Sequence, residues 1–118
     1  MTDDLKKLIS ENPTIISTCA ENEPNIAIAS DVALFDKNTI IIAHNEMIRT
    51  VENIAANPNI SLLVVDQKKG WGGVRVFGKA KYCQSGKYFD KAKEFWGTDA
   101  NLPIGVVVVK IDKTLEIK

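Results

Sequence analysis

Val74-Arg75-Val76-Phe77-Gly78-Lys79-Ala80-Lys81-Tyr82-Cys83 is the stretch on which the fold turns. Val74, Val76, Gly78, Ala80 and Tyr82 alternate with Arg75, Phe77, Lys79, Lys81 and Cys83. Successive side chains of a strand point to opposite faces, so this period of two predicts a long strand with one side on a core. Gly78 in its middle predicts a bend of the kind a barrel needs at its corners.

Upstream, Lys68-Lys69-Gly70-Trp71-Gly72-Gly73 reads as a loop, because three glycines in four residues carry a high entropy cost inside an element. Before it, Ile60 to Asp66 is a nearly unbroken apolar run, which predicts a central strand. Ile48, Val51, Ile54 and Ala55 recur every three or four residues, so 47–56 is a short amphipathic helix ended by Asn57-Pro58-Asn59. The Asp36-Lys37-Asn38 turn joins a loosely alternating strand over 25–35 to Thr39-Ile40-Ile41-Ile42-Ala43, and so short a polar connection predicts an antiparallel hairpin. At the N-terminus, Leu5, Leu8 and Ile9 have helical spacing over 3–11, and Asn12-Pro13 stops that helix. A β-branched strand over 14–19 follows, then the polar turn 21–24.

Downstream, Ser85 is read as a helix cap, with Tyr88, Phe89, Ala92, Phe95 and Trp96 forming the apolar side of the next helix. The chain closes with a buried strand over 104–111 and a short edge over 114–117. Six or so strands, three small helices and no regular βαβ alternation predict a mainly β protein built as an antiparallel barrel, and exclude a doubly wound fold.

The 118 residues make one domain, 1–118, and no repeat, low-complexity tract or linker divides it. Fifteen basic and fifteen acidic residues balance, which argues against nucleic acid and against an acidic membrane surface, where affinity comes from neutralising phosphates. Exposed aromatic–basic pairs of the kind an oligonucleotide-binding barrel uses are also lacking. No apolar run approaches the ~18 residues that cross a bilayer, and the acidic start, Met1 to Lys7, is unlike a secretion signal. Cys19 and Cys83 are far apart and fit a reducing compartment as small hydrophobes, so a cytoplasmic location is expected.

Chemistry concentrates at Ala43-His44-Asn45-Glu46-Met47-Ile48-Arg49-Thr50, where an apolar strand hands over to a helix. The first turn of a helix offers amide hydrogens without acceptors and partial positive charge. A guanidinium and a hydroxyl beside them, Arg49 and Thr50, make a site for a phosphate group. The plain alternative is a solvated Arg49 and an ordinary helical Thr50. Arg49 at this end opposes the helix dipole, which favours a function. The glycines around Trp71 would let backbone and indole approach a flat ligand, or equally form a hairpin tip capping the core. His44 is the single imidazole, so a zinc site or nucleophilic triad lacks partners.

The order of segments resembles the FMN-binding split barrels of the pyridoxamine 5′-phosphate oxidase-like family. The resemblance runs over nearly the whole length and rests on Pro24-Asn25-Ile26-Ala27, the Asp36-Lys37-Asn38 turn and the basic-Thr pair Arg49-Thr50. It rests also on Asn53-Ile54-Ala55-Ala56-Asn57-Pro58-Asn59-Ile60 and Gly73-Val74-Arg75-Val76-Phe77-Gly78-Lys79-Ala80. The resemblance implies a split antiparallel β-barrel of Greek-key type and a homodimer with FMN in a groove between protomers. Arg49 and Thr50 would grip the phosphate, with Ser30 as an extra hydroxyl. Ile28 and Ala29 would follow the ribityl chain or ring edge. Ala43, His44, Asn45 and Met47 would lie near the isoalloxazine, and Trp71, with Trp96 as a further candidate, would reach it from the partner chain. It implies a flavoprotein acting as an oxidoreductase or electron carrier on a small molecule. The alternative on the same barrel is a non-enzymatic module that stores or senses flavin or binds haem or a deazaflavin. Arginine stands where the family often has lysine, Asn45-Glu46 where small relatives can have glycines, and the chain lacks the length that supplies the substrate arginines of a true pyridoxamine phosphate oxidase.

Overall fold

The computed structural model describes residues 2–44, 48–70, 72–98 and 102–117. Eleven elements follow in order: α1 (Thr2–Glu11), β1 (Thr14–Ala20), β2 (Glu23–Ala29), β3 (Val32–Asp36), β4 (Thr39–His44), α2 (Ile48–Ala56), β5 (Asn59–Val65), a 3-10 turn (Gln67–Lys69), β6 (Gly73–Cys83), α3 (Lys87–Trp96) and β7 (Gly105–Ile117). The seven strands form one sheet in the order β2-β1-β5-β6-β7-β4-β3, with every pairing antiparallel. This is the mainly β split barrel with three helices that the segment order predicts.

The long alternating strand lies where its pattern requires. Val74, Val76 and Ala80 of β6 are buried, whereas Arg75, Lys79 and Lys81 are exposed. Between Phe77 and Gly78 the β6–β7 register slips, so the bend sits at the glycine. A methyl group at Gly78 would lie 2.2 Å from the Lys110 carbonyl oxygen, which is why the close approach of β7 needs glycine.

Two apolar clusters sandwich β4 and the start of β7. Ile40 and Ile42 join Val107, Val109 and the α1 residues Leu5 and Ile9 inside the barrel. Ile41, Val106 and Val108 face the other way, against Tyr88 and Ala92 of α3. Burial on both faces explains the uninterrupted isoleucine and valine runs. β5 differs: Ile60, Leu62 and Val64 are buried, but Ser61, Leu63 and Val65 are only half-buried. The centrality of β5 is correct, yet one of its faces is left open.

Three local readings need amendment. The segment 25–35 is two strands broken at Ser30-Asp31, because the Ala43 amide donates to the Asp31 carbonyl (3.0 Å) and starts a new register. The hairpin is therefore β3–β4. The closing strand is one element of 13 residues, whose second half pairs with the first half of β6 instead of forming a separate edge. The N-cap of α3 is Gly86 at φ 93°, not Ser85, and no side chain caps it.

Thr14 is fully buried, and its hydroxyl has no hydrogen-bond partner among the described residues. A buried hydroxyl without a partner costs free energy that an apolar group of the same shape does not. Thr14→Val is expected to raise stability by about 1 kcal/mol in urea denaturation. A loss of stability in that variant would mean the hydroxyl is satisfied.

Candidate functional site

The helix that carries Arg49 is tied down by polar pairs. Thr50, Asn53 and Ile54 form the buried side of α2. Asn53 Nδ2 donates to Thr18 Oγ1 of β1 at 3.1 Å, and Asn25 Nδ2 of β2 reaches Thr50 Oγ1 at 3.4 Å. These contacts hold α2 against β1 and β2. Thr50 is 1% exposed, so its hydroxyl faces β2, while its neighbour Arg49 is exposed. Among the described residues no carboxylate lies within ion-pair range of Arg49. The first turn of α2 holds no acidic residue, so among the described residues its amides and the guanidinium are donors with no carboxylate of the same turn beside them. That donor set fits a phosphate group.

A second group of predicted residues gathers at the end of β4. The Ala43 amide bonds to the Asp31 carbonyl, next to the exposed Ser30, and the Ile104 amide donates to the His44 carbonyl (3.0 Å). Ala43 and His44 are both 6% exposed. The His44 ring meets Tyr82 edge-on, with centroids 5.4 Å apart and planes at 87°. Burial lowers the His44 pKa below its ordinary value, so the imidazole is neutral at pH 7. Gly105 pairs with His44, and a methyl group there would lie 2.2 Å from the Tyr82 hydroxyl oxygen. A glycine at this strand start therefore seats the Tyr82 phenol against the imidazole.

Ala29 and Ile28 lie on opposite faces of β2. Ala29 packs on the inner core, whereas Ile28 is 66% exposed. Asn45, Met47 and Trp71 lie outside the described residues. Trp96 is half-buried at the end of α3, against the cluster of Ile41 and Val106. Sequence reasoning missed Asn25, Asn53, Tyr82 and Gly105 as residues that shape these two groups. Only Asn53, a polar residue on the apolar side of a predicted helix, carried a signal.

Seven antiparallel strands in one sheet with three helices, among the described residues, define a class of small split-barrel β proteins. Residues 1–115 match the family described as pyridoxamine 5′-phosphate oxidase, and the chain belongs to that family. Among solved structures, HupZ of Group A Streptococcus superposes with a TM-score of 0.89 at 26% identity, over 98% of each chain. An FMN-binding protein from Syntrophomonas wolfei superposes with a TM-score of 0.84 at 30% identity, over 99% of this chain and 86% of that one. An uncharacterized protein of Methanocaldococcus jannaschii, MJ0282, is 29% identical over 126 residues, covering 100% of this chain and 81% of its own length.

Proposed function

We propose that this chain is an FMN-binding flavoprotein, acting as an oxidoreductase or electron carrier on a small molecule, in the cytoplasm. The observation that carries the reading is the exposed Arg49 at the start of a helix anchored by Thr50–Asn25 and Asn53–Thr18. The likeness to the Syntrophomonas wolfei FMN-binding protein supports the same cofactor. In this proposal the guanidinium and the first-turn amides of α2 hold the phosphate. Thr50 contributes its main chain, since its side chain is buried against β2. Ser30, Ile28 and Ala29 border the ribityl chain, and Ala43 and His44 border the ring.

The flavin itself supplies the hydride or electron chemistry when bound. The residues of this chain orient it, and the neutral, buried His44 against Tyr82 gives one border of the ring site a rigid, dry wall. Protein loaded with FMN is expected to be yellow and to bleach with dithionite. A colourless preparation that leaves flavin fluorescence unchanged on titration would contradict the proposal, and an intense Soret band in the purified protein would favour the haem-binding alternative. Failure to turn over with any reductant, despite tight FMN binding, would favour a storage or sensing module.

We further propose a homodimer with the flavin groove between protomers. Directly paired residues share a face, so the registers carry Ile28, Ile15, Leu63, Arg75 and Leu115 across the outside of the sheet in one row. Ile26, in the adjoining row, is 74% exposed and Leu115 42%. Exposed apolar residues on an outer sheet face that begins at an edge strand are a surface that a second copy would cover. Ile26→Asp is expected to convert the dimer to monomer in light scattering. A dimer in that variant as stable as the wild type would place the interface elsewhere.

A further inference from the structure

On the face of the sheet covered by α3, three ammonium groups converge on one ring. Lys81 of β6, Lys87 at the start of α3 and Lys110 of β7 place their Nζ atoms 5.2, 5.1 and 5.1 Å from the centroid of Tyr88. Tyr88 is buried, so the ring is a fixed post and not a mobile surface group. Three ammonium groups around one ring make the local potential positive. Among the described residues none of the three has a carboxylate within ion-pair range, although the other lysines of β6 and α3 do: Lys79 pairs with Asp112, Lys91 with Glu94 and Lys93 with Asp90.

The arrangement is preorganised. Lys110 Nζ donates to Thr39 Oγ1 at 3.1 Å and to Tyr88 Oη at 2.8 Å, which leaves its third hydrogen unused by either. Tyr88 Oη, accepting from Lys110, keeps its own proton to give. Asp36 is the carboxylate that faces Lys110 and Lys87 from the β3–β4 turn, and it also accepts from the Asn38 amide at 2.9 Å and from the Thr39 side chain. One carboxylate against three ammonium groups leaves a net positive charge, and the directed groups are donors. Thr39 and His44 are at opposite ends of β4, roughly 17 Å apart at strand rise, so this is a place separate from the start of α2.

We propose that Lys81, Lys87 and Lys110 around Tyr88 form a second anion site, which takes the phosphate group of a small-molecule ligand other than the flavin. Charge and donor geometry both select a multiply charged oxyanion. The site does not depend on the FMN assignment.

The test is a titration of the full chain with inorganic pyrophosphate, followed by amide NMR, with and without excess FMN. Saturable shifts are expected at residues 86–90 and at Lys110, equal in both conditions and weakened by added salt. Lys81→Ala and Lys87→Ala are each expected to weaken the binding about fivefold, with the fold unchanged because both side chains are exposed. Absence of shifts at these residues, shifts confined to the surroundings of Arg49, or an unaltered affinity in the double variant would overturn the proposal.

Discussion

Gly78→Ala is expected to destabilise the protein by about 2–4 kcal/mol, from a total that is typically about 5–15 kcal/mol for a domain of this size. The cause is space. The added methyl would sit 2.2 Å from the carbonyl oxygen of Lys110 and 3.0 Å from a methyl of Val109. The nearer obstacle is backbone in a paired strand, so relief requires β6 and β7 to part at the place where their register slips. A large shift in the urea midpoint with little change in its slope is the expected signature. A variant within about 0.5 kcal/mol of wild type would show that the bend does not depend on glycine.

Arg49→Ala is expected to weaken FMN binding by about 1.5–3 kcal/mol, or roughly 10- to 150-fold, as when a charge-assisted hydrogen bond is lost. Thermal or urea stability of the unliganded protein should stay within about 0.5 kcal/mol, since the side chain is exposed and pairs with no carboxylate among the described residues. Arg49→Lys should recover part of the loss, because a point charge replaces a fork. Fluorescence titration of the three proteins reads all of this. Equal FMN affinity in wild type and Arg49→Ala would remove the phosphate assignment, whatever the affinity itself.

What was legible in the sequence was local periodicity. The alternation of 74–83, the helical spacing of 48–55 and the Asp36-Lys37-Asn38 turn each depend on neighbours in the chain, and each formed as read. Elements decided by distant pairing were not legible. The break at Ser30-Asp31 contains neither glycine nor proline, and it is set by a hydrogen bond from Ala43. Asp112 and Lys113 resemble a turn, but β6 continues beside them and keeps β7 extended through Ile117. The site followed the same rule. Charge and helix onset marked Arg49, whereas the inward turn of Thr50 toward Asn25, 25 residues away, needed the packed fold. The open face of Ile26, Ile28 and Leu115 was equally hidden, because each residue looks like ordinary strand composition until the registers bring the rows together.

The central claim is that a phosphate monoester, and not the ring alone, anchors the ligand at the start of α2. Parallel calorimetric titrations of the wild-type protein with FMN and with riboflavin separate the two contributions, since these ligands differ only in that group. The account predicts FMN to bind at least about tenfold more tightly, as expected for a charge-assisted contact of the phosphate. Equal affinities for the two flavins, or binding of neither, would contradict it.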